Sequence, residues 1–254
     1  MIKLTVIGGG GVRSMMLAKS LAQSARELSI GQIVFMDNNR QKLDIYGALA
    51  RQVALRIEPS LDFTLTTDPI EAVRDADYVI TTIRAGEDQK RVDDERIALA
   101  RNVLGQETTG AAGFSFAMRS VPALARYCEL IRQYAKPGAK VFNFTNPAGV
   151  VSQTLRDMGY DFTYGICDAP TGMLRGFAHL YGVDPEDVTA SCYGLNHLSF
   201  FDSIRFSGRE MLPVLMEDPR VYTETDMRFF TPELAKKMGC ILNEYLYYFF
   251  YREK

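Results

Sequence analysis

Cys167, in Tyr-Gly-Ile-Cys-Asp-Ala-Pro, and His197, in Gly-Leu-Asn-His-Leu, offer a thiolate and an imidazole, the donor types that hold a soft divalent metal. They lack Cys-x-x-Cys or His-x-x-x-His spacing, so taken alone they read more often as core residues. What gives the pair weight is its position downstream of four consecutive glycines, Gly8–Gly11, which follow an apolar strand. Such a loop lets backbone amides approach a pyrophosphate at the next helix N-terminus. A strict G-x-G-x-x-G match fails, because Arg13 takes the third glycine's place. Four glycines are nonetheless more than a simple turn needs, and they carry an entropic cost unless something approaches the backbone. A metal site beside a nicotinamide cofactor is therefore the chemistry to expect. Asp37, closing the second strand, is placed to accept from ribose hydroxyls and to repel a 2′-phosphate, favouring NAD; it also suits the cap of the following helix. Arg84 and Asn146 fall just past the carboxyl ends of two further strands, the edge where open α/β sheets bind ligands.

The elements that must position these residues alternate. Ile2–Ile7, Ile33–Met36, Phe63–Thr66, Tyr78–Ile83, Lys140–Phe144 and Phe162–Ile166 read as strands. Helical spacing covers Met15–Leu28, Gln41–Ile57, a short stretch from Asp68-Pro69, Val121–Tyr134, Pro147–Met158 and Pro170–Tyr181. This alternation predicts a Rossmann-like doubly wound parallel sheet over residues 1–165. The pattern then changes, with strands at Thr189–Tyr193 and Leu198–Phe206, so residues 166–254 are expected to form part of an α+β substrate and metal domain. Cys128 falls on the amphipathic face of a helix and reads as packing. The aromatic segment Glu244–Lys254 suits a helix docked on the core, but it reads better as a domain interrupted in mid-pattern.

Composition narrows the partners. The chain has 254 residues, 47% hydrophobic and 24% charged, with net charge −2. It has no basic block for nucleic acid or anionic membranes and no apolar run of spanning length. Four cysteines without a disulfide framework, and no signal-peptide pattern, predict a cytoplasmic protein that binds small molecules.

Six segments in order, Gly8–Gly10, Ile83–Gly86, Gly105–Gly110, Asn143–Pro147, Gly165–Asp168 and Gly194–Leu198, resemble the NAD- and metal-dependent glycosidases of glycoside hydrolase family four. That family is an exception to two-carboxylate glycoside hydrolysis. The resemblance implies hydrolysis of 6-phospho-glucosides by redox elimination, NAD+ taking hydride from C3 of the sugar and a metal polarising the ketone. It implies that Cys167 and His197 are metal ligands, usually for Mn²⁺, and that Asn146 holds sugar hydroxyls while Arg84 contacts substrate. Tyr245, in Tyr-Leu-Tyr-Tyr, would be the base that takes the C2 proton, with Glu107 beside it raising its basicity. A tyrosine base needs its pKa lowered from about 10, for which a nearby metal is the natural cause; the other reading of Tyr245 is an aromatic packing stripe.

The chain departs from the family pattern twice. Gly11 stands where most members have Ser. Asp168 stands where β-specific members usually carry Asn, and its carboxyl could protonate the leaving oxygen as in 6-phospho-α-glucosidases, although the Asn143–Pro147 and Gly194–Phe200 segments look more like β-type relatives. Members are usually much longer, so the chain reads as C-terminally truncated and the full-length protein as a homo-oligomer. Two other functions stay open: an oxidoreductase like lactate or malate dehydrogenase, and an inactive fragment that binds NAD.

Overall fold

The computed structural model describes residues 1–251; the last three positions of the aromatic segment lie outside them. The chain divides into two compact units, and not at a single point. The first comprises residues 1–92 and 115–166, the second residues 93–114 and those from Cys167 onward.

The first unit is built on β1 (Ile2–Ile7), β2 (Ile30–Met36), β3 (Asp62–Thr66), β4 (Tyr78–Thr81), β5 (Lys140–Asn143) and β6 (Thr163–Gly165). All pair in parallel in the order β3-β2-β1-β4-β5-β6, which is the doubly wound dinucleotide-binding arrangement with its switch point between β1 and β4. Helices α1 (Ser14–Gln23), α2 (Arg40–Lys42), α3 (Ala48–Ile57) and α4 (Pro69–Val73) connect the first strands, a π-helical turn at Leu43–Gly47 joining α2 to α3. Helix α5 (Glu87–Leu99) leaves the first unit, α6 (Gly110–Tyr134) returns to it, and α7 (Ala148–Asp157) precedes β6.

Strands covered on both faces read as unbroken apolar runs, because neighbouring residues serve opposite cores. Val6, Ile33 and Phe35 pack with Ala18, Ala22, Ala50 and Ala54 of α1 and α3, while Ile7, Val34 and Met36 pack with Val73, Val79, Ile131 and Val141. Each fully buried Ile, Val or Phe contributes roughly 1.5–3 kcal/mol. Cys128 lies in a third cluster with Leu124, Val151 and Leu155, and burial pushes its thiol pKa up to about 12, as suits a packing residue. Helix α4 starts where Asp68 accepts from the Ile70 and Glu71 N–H groups with Pro69 in the first turn.

In the second unit α8 (Ala169–Tyr181) precedes the antiparallel β7 (Val188–Leu195), β8 (Leu198–Phe206) and β9 (Arg209–Glu210). Then follow α9 (Leu212–Glu217), α10 (Val221–Glu224), α11 (Pro232–Met238), β10 (Ile241–Leu242) and α12 (Tyr247–Phe250). Its core gathers Phe177, Phe201, Ile204, Leu215, Met227 and Ile241. Strand β8 is the organiser: β7 lies on one side, β10 pairs on the other, and β9 extends its far end. Among the described residues no helix is long and apolar enough to cross a membrane.

Candidate active site

The sequence-predicted site residues fall into two sets, one in each unit. In the first unit Gly8–Gly11 leave β1 at the switch point. Gly8 has φ +103°, and a Cβ there would stand 2.4 Å from the Thr82 carbonyl oxygen at the end of β4, so only glycine fits. Gly8 and Gly9 donate to the Met36 carbonyl at 2.8 and 2.9 Å, and Ser14 Oγ donates to the Gly9 carbonyl at 2.7 Å. Asp37 closes the loop: Oδ2 accepts from Gly10 N and Oδ1 from Asn39 N, both at 2.9 Å. The cap of α2 is Asn39, whose Oδ1 accepts from Lys42 N at 3.0 Å. Each Asp37 oxygen keeps lone-pair capacity, so the carboxylate can hold the loop and still accept from a ribose hydroxyl.

The carboxyl ends of β4 and β5 are tied together by a buried polar network. Thr81 Oγ1 donates to Asn143 Oδ1 at 2.9 Å, Asn143 Nδ2 donates to the Thr145 carbonyl at 3.0 Å, and Ile83 N donates to Thr145 Oγ1 at 2.9 Å. Arg84 follows Ile83 and Asn146 follows Thr145, so these bonds set both on one edge of the sheet, the edge that carries the glycine loop. Arg84 also pairs with Asp88 at 3.2 Å and lies over the Phe116 ring. Asn146 is half-buried and precedes a cis bond to Pro147.

The second set converges closely. Cys167 Sγ lies 3.3 Å from His197 Nε2, less than the roughly 4.3 Å that two metal-ligand bonds can span. One ion can therefore bridge the pair as it stands. Among the described residues no group of three or more His, Cys, Asp and Glu is placed to hold a metal, so Cys167 and His197 are the two donors the geometry offers. His197 is 4% exposed, and burial holds its pKa below the ordinary value against the opposing charges of Glu107 and Asp168, leaving a neutral imidazole able to ligate. It sits in the two-residue turn joining β7 to β8 with φ +62°, a conformation that His tolerates better than most side chains. Gly194, at φ +113°, makes room, since a Cβ there would lie 2.4 Å from the Leu198 carbonyl oxygen.

Tyr245 stacks face to face on His197, with ring centroids 3.7 Å apart and planes within 2°. It stands on a 3₁₀ turn, Glu244–Leu246, and the buried Asn243 fixes that turn to β8. Asn243 Oδ1 accepts from Tyr245 N at 3.0 Å, and its Nδ2 and backbone N donate to Ser199 Oγ and the Ser199 carbonyl at 3.2 and 3.1 Å. Tyr247, Phe249 and Tyr251 pack on the core, and Tyr245 also meets the Tyr248 ring at 6.2 Å, so it shares in the aromatic stripe as well as stacking on His197. Burial raises the Tyr245 pKa, as do the negative charges of Glu244, Cys167, Asp168 and Glu107. A base at this position thus needs a compensating positive charge, which the thiol–imidazole seat is suited to hold. Asp168 leads into α8 without capping it by its side chain.

Three further residues belong to this site and were not singled out from sequence. Gln106 and Thr108 are buried, and Thr108 Oγ1 lies 2.7 Å from His197 Nδ1. Glu244 has its Oε2 buried without a hydrogen-bond partner, and burial with the nearby Asp226 charge raises its pKa to about 7. Gln106 and Thr108 fall within the Gly105–Gly110 segment of the resemblance, but polar residues in turns ordinarily read as caps, so nothing in the sequence set them apart from Glu107.

Comparison with known proteins identifies the family. Residues 3–183 match the model of the family 4 glycosyl hydrolases, and residues 192–254 match that of the family 4 glycosyl hydrolase C-terminal domain. The 6-phospho-beta-glucosidase BglT of Thermotoga maritima is 31% identical over all of this chain and 60% of its own length. Its structure with manganese, NAD+ and glucose-6-phosphate superposes with a TM-score of 0.90 at 29% identity, over 100% of this chain and 60% of that one. A 6-phospho-alpha-glucosidase of Leptotrichia buccalis is 32% identical over 84% of this chain and 49% of its own. A lactate dehydrogenase of Eimeria maxima, at 15% identity and a TM-score of 0.61 over 96% of this chain and 71% of its own, shares the fold alone. The chain thus spans about half to three fifths of the glucosidases it matches, and it belongs to glycosyl hydrolase family 4.

Proposed function

We propose that the protein is a glycosidase that cleaves 6-phospho-glucosides by redox elimination, using NAD and a divalent cation, Mn²⁺ by preference. The observation that carries this reading is the Cys167–His197 pair with Tyr245 stacked on its imidazole. Residues 1–165 are assigned as the NAD domain and 166–254 as the first part of the substrate and metal domain. When bound, NAD+ supplies a hydride acceptor for C3 of the sugar and the cation a positive charge that acidifies the C2 proton.

The chain's own groups do the rest. Gly8–Gly11 present backbone to the pyrophosphate and Asp37 accepts from the ribose. Asn146 holds sugar hydroxyls and Arg84 contacts the substrate. Cys167 and His197 are the ligands to the cation. Tyr245 takes the C2 proton as phenolate, its proton affinity raised by Glu107. Asp168 gives a proton to the leaving oxygen. The Asn143–Pro147 and Gly194–Phe200 segments favour β-linked substrates, whereas Asp168 supplies the acid that α-linked ones need.

The whole protein is proposed to self-associate. Free thiols at all four cysteines suit the reducing cytoplasm. The test is incubation with aryl α- and β-glucoside 6-phosphates, NAD+ and Mn²⁺. Phenol release without net NADH is expected. Stoichiometric NADH would indicate a dehydrogenase, and NAD binding without turnover an inactive fragment.

A further inference from the structure

His197 can ligate through Nε2 only if its single ring proton sits on Nδ1, and the structure holds a device that settles where that proton goes. Thr108 Oγ1 lies 2.7 Å from His197 Nδ1 and 2.7 Å from Gln106 Oε1, with all three residues buried. A hydroxyl has one proton to give, so the direction of this chain turns on Gln106. The Thr108 and Thr109 backbone N–H groups both point at Gln106 Oε1, at 2.8 and 2.9 Å, and Thr109 Oγ1 donates to the same atom at 3.0 Å. Main-chain N–H groups are obligate donors, so the side-chain atom facing them must be the carbonyl oxygen and not the amide nitrogen. A carbonyl cannot donate. Thr108 must therefore direct its proton to Gln106, which leaves only an Oγ1 lone pair facing Nδ1.

We infer that Gln106 and Thr108 act as a relay that fixes His197 as the Nδ1–H tautomer and presents a bare Nε2 beside Cys167 Sγ. They are positioning residues: neither touches the proposed cation, and both decide whether the imidazole can. The relay rests on main-chain N–H groups at its far end, so it cannot reverse without breaking two backbone hydrogen bonds. Groups that orient a ligating histidine in this way typically change metal affinity 10- to 100-fold when removed. The consequence for metal binding rests on the cation seat proposed above, whereas the tautomer itself does not.

The closing experiment separates the two. The metal-free chain labelled with ¹⁵N-histidine has only two imidazoles, His179 and His197, so long-range proton–nitrogen spectra assign the tautomer directly. His197 is expected as Nδ1–H in the native chain and in Thr108→Ser, which keeps the hydroxyl. Thr108→Val is expected to lose the fixed tautomer and to bind Co²⁺, read from its thiolate charge-transfer band, 10- to 100-fold more weakly, with Thr108→Ser within about threefold of native. An Nε2–H tautomer in the native chain, or an unchanged tautomer in Thr108→Val, overturns the relay. The native spectrum needs no variant, so a failure of Thr108→Val to fold leaves the inference decidable. If the native chain binds no Co²⁺ while His197 remains Nδ1–H, the metal reading fails and the relay stands.

Discussion

Cys167 and His197 owe their weight to Tyr245, because a thiol–imidazole contact buried alone would be an ordinary packing detail, and the tyrosine stacked on it is what supports the proposed base beside a cation seat. Cys167→Ser replaces a thiolate ligand with a hydroxyl that stays protonated at neutral pH. It should weaken Mn²⁺ or Co²⁺ binding by at least tenfold in calorimetry with little change in NAD affinity, since the glycine loop belongs to the other unit. Asp168 makes a different test. Asp168→Asn should depress turnover of alkyl glycosides far more than of aryl ones, because a phenolate leaves with little protonation; equal losses would assign Asp168 to orientation instead.

Glu244 adds a pH signature. Its folded pKa of about 7 lies above the unfolded value of 4.5, so between the two the folded chain holds a proton that the unfolded chain releases. Stability should therefore fall as pH rises from about 4.5 through about 7, and level off above. Glu244→Gln should flatten that slope and stabilise the metal-free chain at pH 8 by roughly 1–2 kcal/mol, a figure discounted for the residue's partial exposure. Denaturation midpoints at pH 5 and pH 8 check it, and a slope unchanged in the variant would remove Glu244 from the account.

At the scale of elements, one strand carries much of the second site. His197 sits in the turn that opens β8, and Tyr245 is tied to Ser199 of the same strand through Asn243 and the β10 pairing. Asn243→Ala would strand buried partners and should cost about 1–3 kcal/mol of stability. It should also lower kcat, with KM less affected, because the base loses its fixed position. In the first unit Gly8→Ala would press a Cβ against the Thr82 carbonyl from a left-handed backbone. It should lower stability by about 2 kcal/mol or more in a thermal melt and abolish NAD binding.

The six strands of the sheet were legible because doubly covered strands are continuous apolar runs. Residues 84–120 were not. Helix α5 is charged on every side and buries only Asp94 and Ala98, so it has no apolar stripe to read. Helix α6 begins at Gly110, eleven residues before its expected start, because its first turns are Gly and Ala and because Pro122 within it mimics a helix N-terminus. The turns proposed to carry the chemistry were picked out by residue type for Cys167 and His197, and by the family resemblance alone for Tyr245. Gln106 and Thr108 act through tertiary contacts that no spacing announces.

For the molecule as a whole, two units each hold half of a proposed chemistry: a doubly wound sheet whose glycine loop suits a dinucleotide, and a sheet-and-helix unit whose thiol, imidazole and phenol suit a cation and a proton. In the proposed reaction neither chemistry suffices without the other, so the proposal requires both. Its most direct test is turnover of an aryl glucoside 6-phosphate in D₂O with NAD+ and Mn²⁺, reading the product by mass spectrometry and NMR. Removal of the C2 proton by Tyr245 and its replacement from solvent predicts glucose 6-phosphate carrying deuterium at C2, with no net NADH. Product that keeps its original hydrogen at C2, or turnover that proceeds without NAD, would contradict the account.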